Sequence, residues 1–352
     1  MLGYIPKYLT RGLFQLIFYP TFRCNARCLT CFNWKNIESA KKDELSIEEI
    51  NRISKNMPSF PWLMFSGGEP FLRNDLDEIA YIFYKNNRIR HLSIPTNALL
   101  PETIKKKTES ILEKCRKISF NLVLSLDNIG SKDDKIRGVK GCFKKTMETY
   151  KLVSPLRKKY KNFAIKFNTV ITNENYKEID KIADYVKKLK PDMHSFDLIR
   201  GDPRDKSLKL PPESQLAAIA GKIKKIYDYY GGYKSLSVHY NYLSRLSKKI
   251  MKDNLDLTLG IVKQKKQLIP CYAGRVNAVI YPYGDVAFCE ILKPFAGLRD
   301  FNYDFKKLWS SKKAKELRKF IKSKKCFCYH PCYQETNLLF DYKYILKKAL
   351  GK

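Results

Sequence analysis

The sequence predicts an α/β protein: a partial (β/α)6 barrel of TIM-like form, followed by a small α+β region with a β-hairpin. Three observations carry this expectation. Between residues 14 and 200, six short apolar runs alternate with five helix-like stretches, the rhythm of β/α repeats. From about 211 to 252 the strand-like runs cease and the pattern turns helical, with Pro211-Pro212 at the boundary. From about 268 two strand-like runs, Val276–Tyr281 and Val286–Glu290, flank Pro282-Tyr283-Gly284-Asp285, a turn composition.

The strands are expected at Phe14–Tyr19, Trp62–Ser66, His91–Pro95, Ile118–Leu126, Ala164–Ile171 and Ser195–Arg200. The helices are expected near 46–56, 74–85, 101–116, 142–158 and 175–189. Ser46 stands three residues before Glu49, a capping-box spacing, and Pro101 suits the first position of the third helix. In such barrels functional groups gather where strands end. The chain closes with Leu338 to Leu350, read as one amphipathic helix. There Leu338, Tyr342, Ile345, Leu346, Ala349 and Leu350 form a stripe, with Lys343, Lys347 and Lys348 turned away. That stripe packs on its own domain in the simplest reading; docking on a membrane surface or a partner is the alternative. The divisions are 14–205, a helical connector 206–267, a second region 268–337 and the closing helix 338–352.

With 352 residues, 44% of them hydrophobic, the chain is long enough for a packed core. No apolar run approaches the ~18–20 residues that span a bilayer. The first residues, interrupted by Pro6, Lys7, Arg11 and Gly12, do not read as a signal peptide, so a cytoplasmic protein is expected. The net charge of +33 would suit nucleic acid or an anionic surface, but the lysines are spread over the polar faces of many helices, and nucleic-acid binding is not the expected role.

Ten cysteines without an export signal argue for metal rather than disulfides. Cys24, Cys28 and Cys31, in C-x3-C-x2-C spacing, follow the first strand, and Ser66-Gly67-Gly68-Glu69-Pro70 follows the second. Three such thiolates would hold three irons of a [4Fe–4S] cube and leave the fourth open. A zinc site would need a fourth ligand, and His91, His194, His239 and His330 all lie far off in sequence. A second group comprises Cys271, Cys289, Cys326, Cys328 and Cys332; Cys115 and Cys142 stand apart as small buried residues.

These residues resemble the radical S-adenosylmethionine (radical SAM) enzymes. Cys24-x3-Cys28-x2-Cys31, Gly67-Gly68-Glu69-Pro70, Ser125-Leu126-Asp127 and Arg137-Gly138 carry the resemblance over roughly residues 14–200. The second cysteine group is similar to the SPASM or twitch auxiliary-cluster extension of that superfamily. The resemblance implies that Cys24, Cys28 and Cys31 hold a [4Fe–4S] cluster whose fourth iron is chelated by S-adenosylmethionine (SAM). Reductive cleavage of SAM would yield a 5′-deoxyadenosyl radical, which takes a hydrogen atom from an unidentified substrate. It also implies a low-potential electron donor of flavodoxin or ferredoxin type. Gly67 and Gly68 would let the backbone approach the cofactor, Glu69 would accept from its ammonium, and Pro70 would fix the turn. Ser125 and Asp127 would meet its carboxylate end and ribose, with Asn97, Asn168 and Arg200 on the same rim. Two positions depart from the pattern. Thr30 stands where an aromatic is usual, with Phe32 available to cover the adenine, and Ala98 stands where the third-strand motif has glycine.

One auxiliary [4Fe–4S] cluster is expected on Cys271, Cys289 and two of Cys326, Cys328 and Cys332, zinc with His330 being the alternative. The substrate is a peptide or protein, or a small or lipid-linked molecule. Only some 13 residues precede the first strand, so no leader-binding module is expected before the barrel. A non-enzymatic iron–sulfur carrier or scaffold, and a basic nucleic-acid-binding protein with structural zinc, are the readings outside this chemistry.

Overall fold

The computed structural model describes residues 12–41, 43–231, 241–323 and 326–349. Six strands run parallel, each beside the next: β1 Gln15–Phe18, β2 Trp62–Phe65, β3 His91–Thr96, β4 Ser119–Ser125, β5 Phe163–Ile171 and β6 Met193–Leu198. The expected hairpin forms as β7 (Asn277–Ile280) and β8 (Asp285–Ala287), joined by a third strand, β9 (Ala296–Gly297). It is continuous with the barrel. β7 pairs parallel with β1, Gln15 opposite Asn277 through Phe18 opposite Ile280, giving one sheet of order β6-β5-β4-β3-β2-β1-β7-β8-β9. All four residues of β1 are buried, so its outer edge has to be covered. The hairpin covers it with backbone hydrogen bonds.

Helices flank this sheet: α1 Ile47–Asn56, α2 Leu76–Asn87, α3 Pro101–Lys114, α4 Ser131–Arg137, α5 Cys142–Val153, α6 Ile179–Leu189, α7 Glu213–Tyr230, α8 Asn241–Gln264, α9 Lys312–Lys322, α10 Pro331–Phe340 and α11 Tyr342–Ala349. The capping box at α1 is formed, Glu49 N donating to Ser46 Oγ at 3.2 Å and Ser46 N to Glu49 Oε2 at 2.8 Å. Pro101 opens α3. The stretch expected as one helix over 142–158 stops at Val153 and resumes for one turn at Leu156–Lys159, on either side of Pro155. Residues 232–240 of the expected 211–252 stretch lie outside the described residues. The closing helix is two helices, α10 and α11, divided at Asp341, whose Oδ1 accepts from Lys343 N at 2.8 Å. Leu338 therefore belongs to α10 and is buried, whereas Tyr342 and Leu346 of α11 are exposed, so the expected stripe does not form a single face. Leu350, and the side chains of Lys348 and Ala349, lie outside the described residues. Among the described residues no helix is long and apolar enough to cross a membrane.

Outward-facing strand residues such as Leu92, Ile94, Phe120, Leu122, Ile165 and Phe167 are fully buried in the main core. The inward-facing set is different. Barrels usually fill their interior with Val, Ile and Leu; here Ser93, Asn121, Lys166, Asn168, Ser195 and Asp197 face a cavity. The strand register brings them together: Ser93 opposite Asn121, Asn168 opposite Ser195, Val170 opposite Asp197. Six strands do not close a barrel. The remaining wall comes from Tyr227 of α7, Met251 and Asn254 of α8, and Cys332 and Glu335 of α10.

After β3 the chain turns through Ala98 with φ of 61°. This left-handed conformation explains why glycine suits the position. The turn is held by Ala98 N donating to Thr96 Oγ1 at 3.1 Å and Thr149 Oγ1 donating to Ala98 O at 2.8 Å.

One buried side chain ties α1 to α2. Asn87, fully buried, donates from Nδ2 to Ser54 O at 3.0 Å and Pro58 O at 3.1 Å, and its Oδ1 accepts from Ser54 Oγ at 2.5 Å. Asn87→Ala leaves these groups without partners and is expected to cost about 2–3 kcal/mol, measured as a lower urea midpoint. A midpoint equal to that of the parent protein would show that water replaces the amide.

Candidate active site

The loop after β1 carries the first three cysteines, and two other loops hold its backbone. Gly68 N donates to Thr21 O at 2.9 Å and Glu69 N to Arg23 O at 2.8 Å. From the other side Leu29 N donates to Ile136 O at 2.8 Å and Arg27 N to Arg137 O at 3.3 Å. Glycine is required at the first contact. A Cβ on Gly67, whose φ is +118°, would lie 2.3 Å from Thr21 O, and one on Gly68 would lie 2.1 Å from Arg23 O. The close approach expected of these glycines is thus made to the cysteine loop itself, while both still line the cavity.

Glu69 is buried and its carboxylate accepts from Thr96 Oγ1 at 2.8 Å, Phe71 N at 3.2 Å and Asn97 N at 2.7 Å. Burial pushes its pKa up to about 7 against these hydrogen bonds and the Arg137 charge. Three of its roughly four acceptor positions are taken, so one remains for a donor in the cavity. Pro70 is buried and opens a single 3-10 turn, Pro70–Leu72, outside the cavity lining. Asn97 lines the cavity and donates to Asn25 Oδ1 at 2.6 Å, with Cys24 Sγ 3.8 Å away. Ser125 also lines it. Asp127 does not. Its Oδ1 accepts from Val170 N at 2.8 Å and its backbone N donates to Asp133 Oδ1 at 2.8 Å, which pins the β4–β5 strand ends. Arg137, expected only as part of the Arg137-Gly138 motif, lies in the cavity wall with its Nε donating to Cys28 Sγ at 3.3 Å and Nη1 buried without a partner.

The opposite wall holds a polar network. Asn168 donates to Asp197 Oδ2 at 3.1 Å and accepts from Ser195 Oγ at 2.8 Å; Arg200 lies 3.4 Å from Asp197. The Arg200 guanidinium also stacks over Phe32, 4.9 Å from the ring centre, so Phe32 is covered on that face. Glu290 accepts from Tyr19 and lies 3.3 Å from His330 Nε2. Deeper in, burial pushes the Lys166 ammonium down to about 7 and the Glu335 carboxyl up to about 6, each offset by the other's charge. Asn168 and Arg200, expected on this rim from the sequence, line the cavity, and Lys166, Ser195, Asp197, Glu290 and Glu335, not expected there, line it with them. Period-2 alternation of polar residues at 166, 168, 195 and 197 was the available signal for four of the wall positions.

The cavity encloses about 400 Å³ and is lined by Cys24, Cys28 and Cys31 together with this far wall. The five C-terminal cysteines divide. Cys271 has Cys326 and Cys328 as electrostatic neighbours, and Cys289 has Cys271 and Cys328; burial pushes Cys271 up to about 11 and Cys289 to about 12. Cys332 instead faces Arg200, Asp197, Glu290 and Glu335 in the cavity. Cys115 and Cys142 are fully buried.

Among the described residues no three His, Cys, Asp or Glu side chains converge on one metal ion. An iron–sulfur cube takes each thiolate at a different iron, so its ligands need no common point. The donor set fits such a cube. Burial pushes Cys24 up to about 11 and Cys31 to about 12, and Arg137 donates to Cys28 Sγ while its Nη1 has no partner.

Residues 18–186 match the family described as the Radical SAM superfamily. The chain carries a Radical SAM domain over those residues. It is similar to Fe-coproporphyrin III synthase of Methanosarcina barkeri, 35% identical over 36% of this chain and 31% of that protein. It is also similar to the antilisterial bacteriocin subtilosin biosynthesis protein AlbA of Bacillus subtilis, 24% identical over 84% of this chain and 59% of that one. The match thus spans less than two thirds of either relative. Among solved structures, native anSMEcpe with bound AdoMet and a peptide is similar over 97% of this chain and 98% of that one, with a TM-score of 0.59 and 18% identity. Radical SAM proteins bind a [4Fe–4S] cluster and SAM, and the match to the subtilosin biosynthesis protein covers more of this chain than that domain does.

The glycine contact gives a direct check. Gly68→Ala places a methyl against Arg23 O, and anaerobically reconstituted protein is expected to fall from about 8 irons per chain toward about 4, with helix content unchanged by circular dichroism. Full iron loading would show that the cysteine loop does not depend on this contact.

Proposed function

We propose that this chain is a radical SAM enzyme that takes a hydrogen atom from a peptide held in the barrel lumen. Cys24, Cys28 and Cys31 would hold the SAM-binding cluster, and Cys271, Cys289, Cys326 and Cys328 an auxiliary one. A reduced cluster bound there would supply the electron for reductive cleavage of SAM to methionine and a 5′-deoxyadenosyl radical. The observation that carries this reading is that one cavity is shared by the cysteine loop and the far polar wall. Glu69 offers its remaining acceptor position to the SAM ammonium, with Asn97 and Ser125 beside it. Asp197, Arg200 and Asn168 hold the substrate opposite. The flanking helices α7, α8 and α10 keep water from the gap between them.

A peptide is supported by the subtilosin biosynthesis protein, which matches most of this chain, and by two unused groups in or beside the far wall. Arg200 Nε–H and Asn254 Oδ1 lack partners, one a donor and one an acceptor, as a peptide amide requires. A flavodoxin- or ferredoxin-type donor would supply the electrons. An iron–sulfur carrier without catalysis has no use for this polar lumen, and a nucleic-acid-binding role leaves it unexplained.

Reconstituted protein given SAM and dithionite is expected to release 5′-deoxyadenosine and methionine in equal amounts, and Cys28→Ala to release neither above background. Absence of both from the parent protein would sink the reading. A synthetic peptide library is expected to accelerate that release and to contain one member altered in chromatographic retention or, in D2O, in mass; no acceleration would refute the substrate class and leave the cofactor chemistry standing.

A further inference from the structure

Five cysteines occupy the C-terminal region where one cube takes four, and the fold itself separates the fifth. Cys328 precedes α10. Gln334 of that helix donates to its carbonyl oxygen and lies 3.5 Å from its Sγ, which keeps Cys328 beside Cys326, Cys271 and Cys289. His330 and Pro331 then start the helix. Tyr333 points into the core shared with Ile17 and Tyr19. Cys332 and Glu335, three apart and so on one face, point into the lumen. The Cys332 carbonyl accepts from Thr336 Oγ1 at 2.9 Å, which fixes this first turn.

We propose that Cys332 is not a cluster ligand but a catalytic thiol of the lumen, which donates the hydrogen atom of its S–H bond to a carbon radical formed there. This rests on the radical chemistry proposed above. The thiol lines the same cavity as Cys24, Cys28 and Cys31. An independent sign of an occupant stands beside it. Asn254 is 8% exposed and lines the cavity; its Nδ2 donates to Pro331 O at 3.1 Å, next to Cys332, while its Oδ1 has no partner. Arg200 Nε is likewise unpartnered. The space next to the thiol is therefore built to receive a molecule with both a donor and an acceptor. Burial and the nearby acids Asp197, Glu290 and Glu335 raise the thiol pKa against the pull of Arg200, so sulfur keeps its proton. Only a protonated thiol can give a hydrogen atom, and its S–H bond is weaker than an unactivated C–H bond.

The step balances. The S–H bond breaks homolytically, a C–H bond forms, and a thiyl radical remains; one electron from the low-potential donor and one proton from solvent restore the thiol. Without substrate, the recipient is C5′ of the deoxyadenosyl radical.

Solvent deuterium reads this directly, because S–H exchanges in D2O. Holoenzyme given SAM and dithionite in D2O, without peptide, is expected to release 5′-deoxyadenosine carrying one deuterium. Cys332→Ala and Cys332→Ser are expected to release it without deuterium. Iron counts are the second readout: Cys332→Ala is expected to keep the parent's iron, about 8 per chain, while Cys328→Ala loses about half. Loss of about 4 irons in Cys332→Ala would make Cys332 a ligand and overturn the inference. So would deuterium persisting in both variants, or unlabelled 5′-deoxyadenosine from the parent protein. No 5′-deoxyadenosine at all from the parent would sink the underlying reading as well.

Discussion

A backbone-to-backbone contact without a Cβ between holds this architecture at its working end. The chain leaving β1 runs so close to Gly67 and Gly68 that their amide and the next, Glu69 N, reach Thr21 O and Arg23 O. The cysteine loop cannot be displaced from that position without losing those bonds, and it is also tied to Ile136 and Arg137. Glu69 extends the constraint, since its carboxylate closes the end of β3 at Thr96 and Asn97. Three strand ends thus become one rigid rim. A ligand bound there meets preset groups and pays little reorganisation.

The interior of the barrel follows from the opposite trade. Filling it with branched aliphatics would stabilise the fold, yet the strands present Ser, Asn, Lys and Asp to a cavity. Lys166 and Glu335 are both drawn toward neutrality there, the behaviour of groups in a dry space. Stability is recovered outside the barrel, where Leu, Ile and Phe from alternate strand positions are fully buried against α2, α3 and α5. Polar lumen and apolar jacket are the two faces of the same strands.

How far the sequence reveals this depends on distance along the chain. Cys24, Cys28, Cys31 and Gly67 to Glu69 are legible because spacing and residue type act locally. The break at Pro155 and the division at Asp341 were also written locally, as a helix-breaking proline and a capping aspartate, although the apolar stripe across Asp341 suggested one helix. Asp127 shows a different failure. It stands two residues after Ser125, but β4 ends at Ser125, so strand alternation no longer says where Asp127 points. The pairing of β7 with β1 was not legible. It joins residues about 260 apart through backbone bonds that any apolar run could make.

That long-range pairing has a chemical consequence. With β7 on the edge of β1, the segment after β8 passes along the barrel mouth, and Cys289 and Glu290 serve different surroundings. Cys289 lies with Cys271 and Cys328, whereas the Glu290 carboxylate faces the lumen beside Arg200. Helix α10 makes the same division between Cys328 and Cys332. The C-terminal cysteines and the lumen therefore share two segments of chain, and neither can shift without the other. An independent small domain tethered by a linker would need only its own fold. This region instead supplies the missing wall of the barrel, which is why its cysteine group and the reaction space are positioned together.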